Sequence, residues 1–176
     1  EMHDLPVGTE VAIRGPRNGF PFVRSEHAVF VAGGIGITAI ISMVRRARET
    51  GMDWHLVYCG RSRESMPFLD EIADWEADRV TVRTDDVDGM PSSMDLLGAA
   101  APGGSVYVCG PPPMIDLVRA SFDSLPATHL HFERFSPPPV KNGAEFEVQL
   151  VDSGQVIAVG SDETALHAIR RLRPRC

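Results

Sequence analysis

A glycine-rich loop between an apolar run and an amphipathic stretch is the first feature of this sequence that could do chemistry. The apolar run 27–32 predicts a strand buried on both faces, and residues 39–48 have helical spacing. The loop between them consists of Gly33, Gly34, Ile35, Gly36, Ile37 and Thr38. Such a loop presents backbone N–H groups at a helix N-terminus, where the helix dipole also favours an anion. The same glycines would serve a tight βα turn, but the strand–loop–helix context favours dinucleotide pyrophosphate binding.

A second group of candidates follows another apolar run, residues 105–109. Cys109, Gly110 and Pro111 would lie at the carboxyl end of that strand, where open α/β sheets bind their ligands. A small, polarizable thiol can contact a flat ring there without blocking it. A buried free cysteine followed by a helix-starting proline is the structural alternative. Two such loops at one sheet edge favour ligand binding.

Three further groups of residues predict structure rather than chemistry. The spacing of residues 133–135 alone favours a solvated Glu–Arg pair beside a core aromatic ring. The acidic stretch 85–88 lacks the ligand spacing of a calcium loop and predicts a solvated loop. His129 and His131 point to one face of a strand and predict ring packing rather than metal ligation.

Strand and helix patterns alternate along the middle of the chain. Further strands are predicted at 54–59, 80–83 and 129–132, with helices at 67–76 and 113–125 and a helical turn at 92–97. This alternation predicts an α/β fold with a doubly wound, mostly parallel sheet. Residues 10–14 predict one isolated strand before it. After a proline-rich stretch, residues 145–150 and 155–159 predict a hairpin, followed by a helix from Ser161.

Composition excludes several classes of protein. The 176 residues carry 17 basic and 24 acidic side chains, a net charge of -7, so a nucleic-acid partner is not expected. Apolar runs are too short for a membrane span. Three widely spaced cysteines fit a reducing, cytoplasmic compartment.

The glycine loop, Cys109-Gly110-Pro111 and the segment 131–135 occur in an order that resembles the ferredoxin–NADP reductase superfamily. Residues 15–21 resemble the end of that superfamily's flavin barrel. The C-terminal hairpin narrows the resemblance to the group of phthalate dioxygenase reductase and vanillate demethylase reductase. The resemblance implies the reductase component of a two-component aromatic oxygenase, with the terminal oxygenase as its protein partner.

The resemblance also implies roles for individual residues. The glycine loop would hold the NADH pyrophosphate, with Arg61 and Ser62 at the adenosine ribose. Cys109, Gly110 and Pro111 would lie beside the nicotinamide. Glu133 would support the transfer of hydride to FMN, Phe135 would cover the flavin ring, and Cys176 would be the first ligand of a [2Fe–2S] cluster.

The family pattern implies four segments. These are the end of a flavin-binding barrel at 1–24, an NAD(P)-binding domain at 25–135, a proline-rich linker at 136–142 and a partial ferredoxin-like domain at 143–176. The barrel's flavin motif and three of four cluster cysteines are missing, so we expect a fragment that mainly encodes nucleotide binding.

The residues alone leave two questions open, the choice between NADH and NADPH and the function itself. An acidic residue after the second strand would grip the ribose 2′-hydroxyl of NADH, but Gly60 is followed here by Arg61 and Arg63, which could pair a 2′-phosphate. The resemblance implies NADH, with NADPH possible. A non-catalytic nucleotide-binding module and a flavohaemoglobin-type reductase are the alternative functions.

Overall fold

The computed structural model describes residues 4–15, 17–136 and 140–172. The chain divides into two units, Glu1–Phe135 and Ser136–Cys176. The linker prolines at 137–139 and the predicted cluster ligand Cys176 lie outside the described residues. The assignment of the outer segments to a flavin barrel and a ferredoxin-like domain stays a prediction.

Five apolar runs of the first unit form strands, and five helices connect them. The strands are β1 (His27–Gly33), β2 (Asp53–Gly60), β3 (Val80–Thr84), β4 (Ser105–Cys109) and β5 (His129–Glu133). The helices are α1 (Ile37–Glu49), α2 (Leu69–Ala73), α3 (Asp85–Asp88), α4 (Ser93–Leu97) and α5 (Pro112–Ser121). All paired strands are parallel, in the order β3-β2-β1-β4-β5, which confirms the predicted α/β class.

Alternating side chains of the strands form two apolar layers. Phe30, Leu56 and Tyr107 belong to a cluster with α1 and α2 on one face. Val31 and Val106 belong to a second cluster with α4 and α5 on the other face. Because both faces are covered, the central strands contain continuous apolar runs rather than alternating ones. The switch in strand order falls between β1 and β4. Open α/β sheets bind ligands in a crevice at the carboxyl ends of the strands at this point.

The second unit is a hairpin and a helix. Strands β6 (Phe146–Gln149) and β7 (Val156–Val159) pair antiparallel, and α6 spans Ala165–Leu172. Ile157, Val159 and Ala168 form its small buried cluster. The predicted hairpin is confirmed, while the helix begins four residues after Ser161.

Three predictions of secondary structure are wrong. Residues 10–14 form no strand, and Ile13 is 85% exposed, because alternation makes a strand only where another strand pairs with it. The helix expected at 67–76 is reduced to α2, since Phe68 before it has a left-handed backbone. The expected loop at 85–88 is the single-turn helix α3, in which the Asp88 carboxylate accepts a hydrogen bond from the Thr84 amide.

Tyr107 fastens an irregular segment to the sheet. Its buried ring stacks on His131, with 4.6 Å between the ring centroids, so the predicted ring packing of that histidine is confirmed. The Tyr107 hydroxyl donates to the carbonyl of Val23 and accepts from the amide of Val23, both at 3.0 Å. Phe20 and Phe22 contact the same ring edge-on. Residues 20–23 therefore have a fixed place beside β4 without belonging to a strand.

The double hydrogen bond at Val23 can be tested with Tyr107→Phe. We expect a loss of about 1–2 kcal/mol in the free energy of unfolding, because the substitution removes the partner of two backbone groups. Urea unfolding measures this loss, and hydrogen exchange should show faster exchange of the Val23 amide. Tyr58→Phe is the control, since the Tyr58 hydroxyl bonds to Pro67 instead. An unchanged Val23 exchange rate in Tyr107→Phe would contradict the assignment.

Candidate functional site

The glycine loop (residues 33–38) leaves β1 as a single 3₁₀ turn, Gly34–Gly36, and runs directly into α1. Gly34 has φ +53°, a conformation that glycine adopts without strain, and a Cβ atom there would meet open space. No side chain caps the start of α1, and its first turn holds no acidic residue. Thr38 donates its hydroxyl to the Ile35 carbonyl at 2.8 Å and so braces the loop rather than capping the helix. The turn therefore offers uncapped amide donors beside open space.

The glycine loop touches the end of β4. A Cβ atom on Gly36 would overlap the carbonyl oxygen of Cys109. One on Gly33 would lie 2.5 Å from Cδ of Pro111, and one on Gly110 would lie 3.0 Å from Cα of Gly33. These glycines are required because two backbone segments meet without room for side chains. The structure thus brings the predicted pyrophosphate loop and the predicted nicotinamide residues into direct contact.

Cys109 is a buried, neutral thiol. Its side chain is 1% exposed, and burial, with a smaller effect of the Glu133 carboxylate, raises the pKa of the thiol to about 11. A thiol of this kind is a poor nucleophile at pH 7 and serves as a small apolar contact. Burial also raises the pKa of Cys59 to about 11, but Cys59 belongs to the other face of the sheet.

Glu133 stands beside Cys109 in register on β5, half-buried at the end of the strand. It lines a cavity of about 440 Å³ together with Thr38 and Arg17. Phe135, two residues later, is 56% exposed and presents its ring to solvent within this unit. The structure therefore places the predicted transfer residue next to both loops of the crevice.

An ion pair fixes the chain between Glu133 and Phe135. The Arg134 guanidinium lies against the Asp116 carboxylate of α5, with only 16% of the Arg134 side chain exposed. The predicted solvated charge at Arg134 is wrong, because Asp116 of α5 supplies its partner through the tertiary fold.

Arg61 and Ser62 lie on the opposite side of β1, after β2. The Ser62 amide and carbonyl both bond to the Ser65 hydroxyl, which shapes the turn between two exposed arginines, Arg61 and Arg63. The Asp86 amide donates to the Arg61 carbonyl at 3.2 Å. The structure therefore separates these residues from Cys109 by β1 and sets them beside the start of α3.

Two residues of this edge, Met114 and Asp86, are not among the site residues predicted from the sequence. Met114 of α5 lies against both Gly33 and Gly110, and its signal was the short spacing from Pro111 into a helix. Asp86 belongs to the acidic stretch that is predicted as a solvated loop, and nothing in the spacing of that stretch indicates its contact with Arg61.

In the described parts of the chain, no three histidine, cysteine or acidic side chains are grouped so that they could hold a metal ion. No helix within these same ranges has the length and apolar character of a membrane span.

Comparison with known proteins gives the family context. The profile of the oxidoreductase NAD-binding domain family matches residues 30–120. The chain is 40% identical over 173 residues to phenoxybenzoate dioxygenase subunit beta of Ectopseudomonas oleovorans, covering 95% of this chain and 53% of that protein.

Two solved structures agree with this context. An intact type IV self-sufficient cytochrome P450 monooxygenase matches with a TM-score of 0.71 and 36% identity, over 96% of this chain and 23% of its own. Phthalate dioxygenase reductase, described as a modular structure for electron transfer from pyridine nucleotides to [2Fe–2S], matches with a TM-score of 0.65 and 31% identity. That match covers 91% of this chain and 52% of the reductase. The chain spans about half the length of the curated relatives it matches.

The close approach of the two loops predicts a large effect of Gly36→Ala. The added methyl group must displace the Cys109 carbonyl or the glycine loop, so we expect a loss of about 3 kcal/mol in the free energy of unfolding. Gly34→Ala is the matched control, since its methyl group meets open space and only the left-handed backbone costs about 1 kcal/mol. Equal losses in chemical denaturation of the two variants would show that the loops do not touch.

Proposed function

Since this chain belongs to the oxidoreductase NAD-binding domain family, we propose that it binds NADH as the nucleotide domain of an oxygenase reductase. The resemblance to phthalate dioxygenase reductase and related oxygenase reductases is confirmed by 31% identity with that enzyme. One structural observation carries the proposal. The uncapped glycine loop touches the cysteine-bearing end of β4 at the switch point of the sheet, where α/β folds hold nucleotides.

In this proposal, different residues of the crevice bind different parts of the dinucleotide. The glycine loop donates backbone N–H groups to the pyrophosphate. Cys109, Gly110 and Pro111 offer a flat, neutral surface for the nicotinamide, because a thiol with a pKa of about 11 carries no charge at pH 7. Glu133 lies at the reacting end of that surface, and Arg61 and Ser62 contact the adenosine ribose.

The whole protein would be the reductase of a two-component oxygenase. In that protein, bound NADH, FMN and [2Fe–2S] would together supply hydride transfer and then single-electron transfer to a terminal oxygenase. The exposed ring of Phe135 would cover the flavin, and Cys176 would contribute to the cluster. The flavin-binding barrel would end with residues 1–24, and the nucleotide domain would span 25–135. Residues 136–142 would be the linker, and 143–176 would belong to the ferredoxin-like domain. The free, buried thiols Cys59 and Cys109 fit a cytoplasmic protein.

Binding of ADP-ribose tests the pyrophosphate site directly. Ile35 is 64% exposed at the tip of the glycine loop, so Ile35→Glu adds a negative charge there with little loss of packing. We expect the chain to bind ADP-ribose, and Ile35→Glu to weaken binding about tenfold by repulsion of the pyrophosphate. Isothermal titration calorimetry measures both affinities.

Ile35→Gln is the control for this experiment, because it has the same length without the charge. Its affinity should stay within about twofold of the parent chain. Absence of ADP-ribose binding by the parent chain would refute the proposed function.

Asp86 supports NADH over NADPH in this proposal. A carboxylate beside the adenosine ribose accepts hydrogen bonds from its hydroxyl groups and repels a 2′-phosphate. The Asp86 amide bonds to Arg61, which places this exposed acidic residue beside the predicted ribose site, although it follows β3 instead of β2. Arg61 and Arg63 would instead attract the 2′-phosphate of NADPH, so the preference for NADH depends on Asp86.

We therefore expect Asp86→Asn to narrow the preference for NADH. The ratio of the NADPH to the NADH dissociation constant should fall at least fivefold, mainly because NADPH binds more tightly. Asp78→Asn is the control, since Asp78 is also exposed but lies at the amino end of the sheet. The idea fails if the parent chain prefers NADPH, or if the ratio is the same in both variants.

A further inference from the structure

Phe68 has a backbone conformation that its residue type disfavours. Its φ of 65° and ψ of 10° are left-handed, at the residue that precedes α2. Among the described residues other than glycine, only Asn142 also has a positive φ. Asparagine tolerates this region, but a bulky aromatic residue does so at a cost. Such conformations persist where the surroundings impose them, and they cluster at sites that bind ligands.

Contacts on β2 impose the path of the chain that leads into Phe68. A Cβ atom on Gly60 would overlap the Met66 side chain, so Met66 lies directly against the end of β2. The Tyr58 hydroxyl donates to the Pro67 carbonyl at 3.2 Å. Both contacts come from the buried strand, and they hold the two residues before Phe68.

A second contact holds the residues after Phe68. The Arg45 guanidinium of α1 forms two hydrogen bonds to the Glu71 carboxylate of α2, at 2.7 and 2.6 Å. Since α1 begins at the glycine loop, this bidentate pair ties α2 to the helix that carries the pyrophosphate site. Phe68 is thus fixed from both sides, and its ring is nevertheless 39% exposed.

The position of Phe68 along the sheet edge limits which part of a dinucleotide it could meet. Met66 contacts the carboxyl end of β2, and Phe68 is two residues further, so their Cα atoms are within about 7 Å. Arg61 and Ser62 belong to the same connection. The nicotinamide residues follow β4 on the other side of β1, so the β2 side is left for the adenosine half.

We propose that the Phe68 ring is one wall of the adenine pocket and stacks on the purine. The proposal rests on the proposed function, because it concerns the same dinucleotide. Aromatic stacking suits adenine since every base has a π-face, and a fixed backbone lowers the entropy cost of ordering the ring on binding. The Phe68 ring is 39% exposed and does not belong to the apolar layer that α1 and α2 form with the sheet.

The test compares ring and non-ring side chains at position 68. Phe68→Leu keeps an apolar side chain but removes the π-face, so we expect its affinity for ADP-ribose to fall at least fivefold. Phe68→Tyr keeps the ring and should bind within about twofold of the parent chain. The matched control is Phe132→Leu, because Phe132 is 42% exposed but belongs to β5 on the other side of the sheet.

The outcomes separate this inference from the proposed function. If the parent chain binds ADP-ribose and Phe68→Leu binds it equally well, the stacking inference is wrong and the function stands. If the parent chain does not bind ADP-ribose, the proposed function itself fails. Equal losses in Phe68→Leu and Phe132→Leu would also overturn the inference.

A measurement on the parent chain removes any dependence on variant folding. In nuclear magnetic resonance spectra with ADP-ribose, the adenine H2 and H8 protons should shift upfield and show nuclear Overhauser effects to phenylalanine ring protons. Selective labelling of phenylalanine and comparison with folded Phe68→Tyr assign the ring. Bound adenine without such contacts would refute the stacking.

Discussion

The contact of Gly36 with the carbonyl of Cys109 is the constraint on which the crevice depends. The glycine loop after β1 meets the end of β4 here, and the two backbones are in direct contact. The strand order of the sheet switches between these two strands. Only glycine permits this approach. Since Ala28–Ala32 of β1 pair in register with β4, the contact fixes where the amide donors of α1 lie relative to the Cys109 thiol. The geometry offered to a dinucleotide follows from this one meeting point.

The layers on both sides of the sheet keep that meeting point rigid. Tyr107 lies two residues before Cys109 on the same face of β4. Its ring packs among aromatic rings, and its hydroxyl bonds to the backbone of Val23. The ion pair of Arg134 with Asp116 links the residue after β5 to α5. The two hydrogen bonds between Tyr107 and Val23 are partly buried, so solvent weakens them less than it weakens the exposed ion pairs of the helices. Order at the carboxyl edge therefore comes from packing beneath it.

Much of the fold could be predicted from the sequence because the strands are continuous apolar runs between glycines. Each predicted strand of the sheet lies within one or two residues of its observed bounds. That the loop after β1 and the residues after β4 share one edge also follows from parallel pairing alone. The direct contact between them does not, since it depends on the strand order.

The errors have the same physical origin. Residues 10–14 alternate as a strand should, but a strand needs a partner. Helix α2 is short because Phe68 is left-handed, and that conformation is imposed by Gly60, Met66 and Tyr58, which sequence periodicity does not relate to it. Arg134 was assigned to solvent because its partner comes from α5. In each case tertiary contacts decide the outcome, and local sequence patterns do not contain them.

The net negative charge of the chain does not prevent an anionic ligand from binding, because the two effects act over different distances. A net charge of -7 spread over 176 residues acts at distances where salt screens it, beyond about 8 Å at physiological ionic strength. The pyrophosphate would meet the uncapped amides of α1 at hydrogen-bond distance, and the first turn of that helix holds no acidic residue. Basic side chains at the β2 end stand close to the same edge, while Asp86 stands among them. Local placement of a few groups, rather than total charge, therefore decides whether a dinucleotide binds and which one.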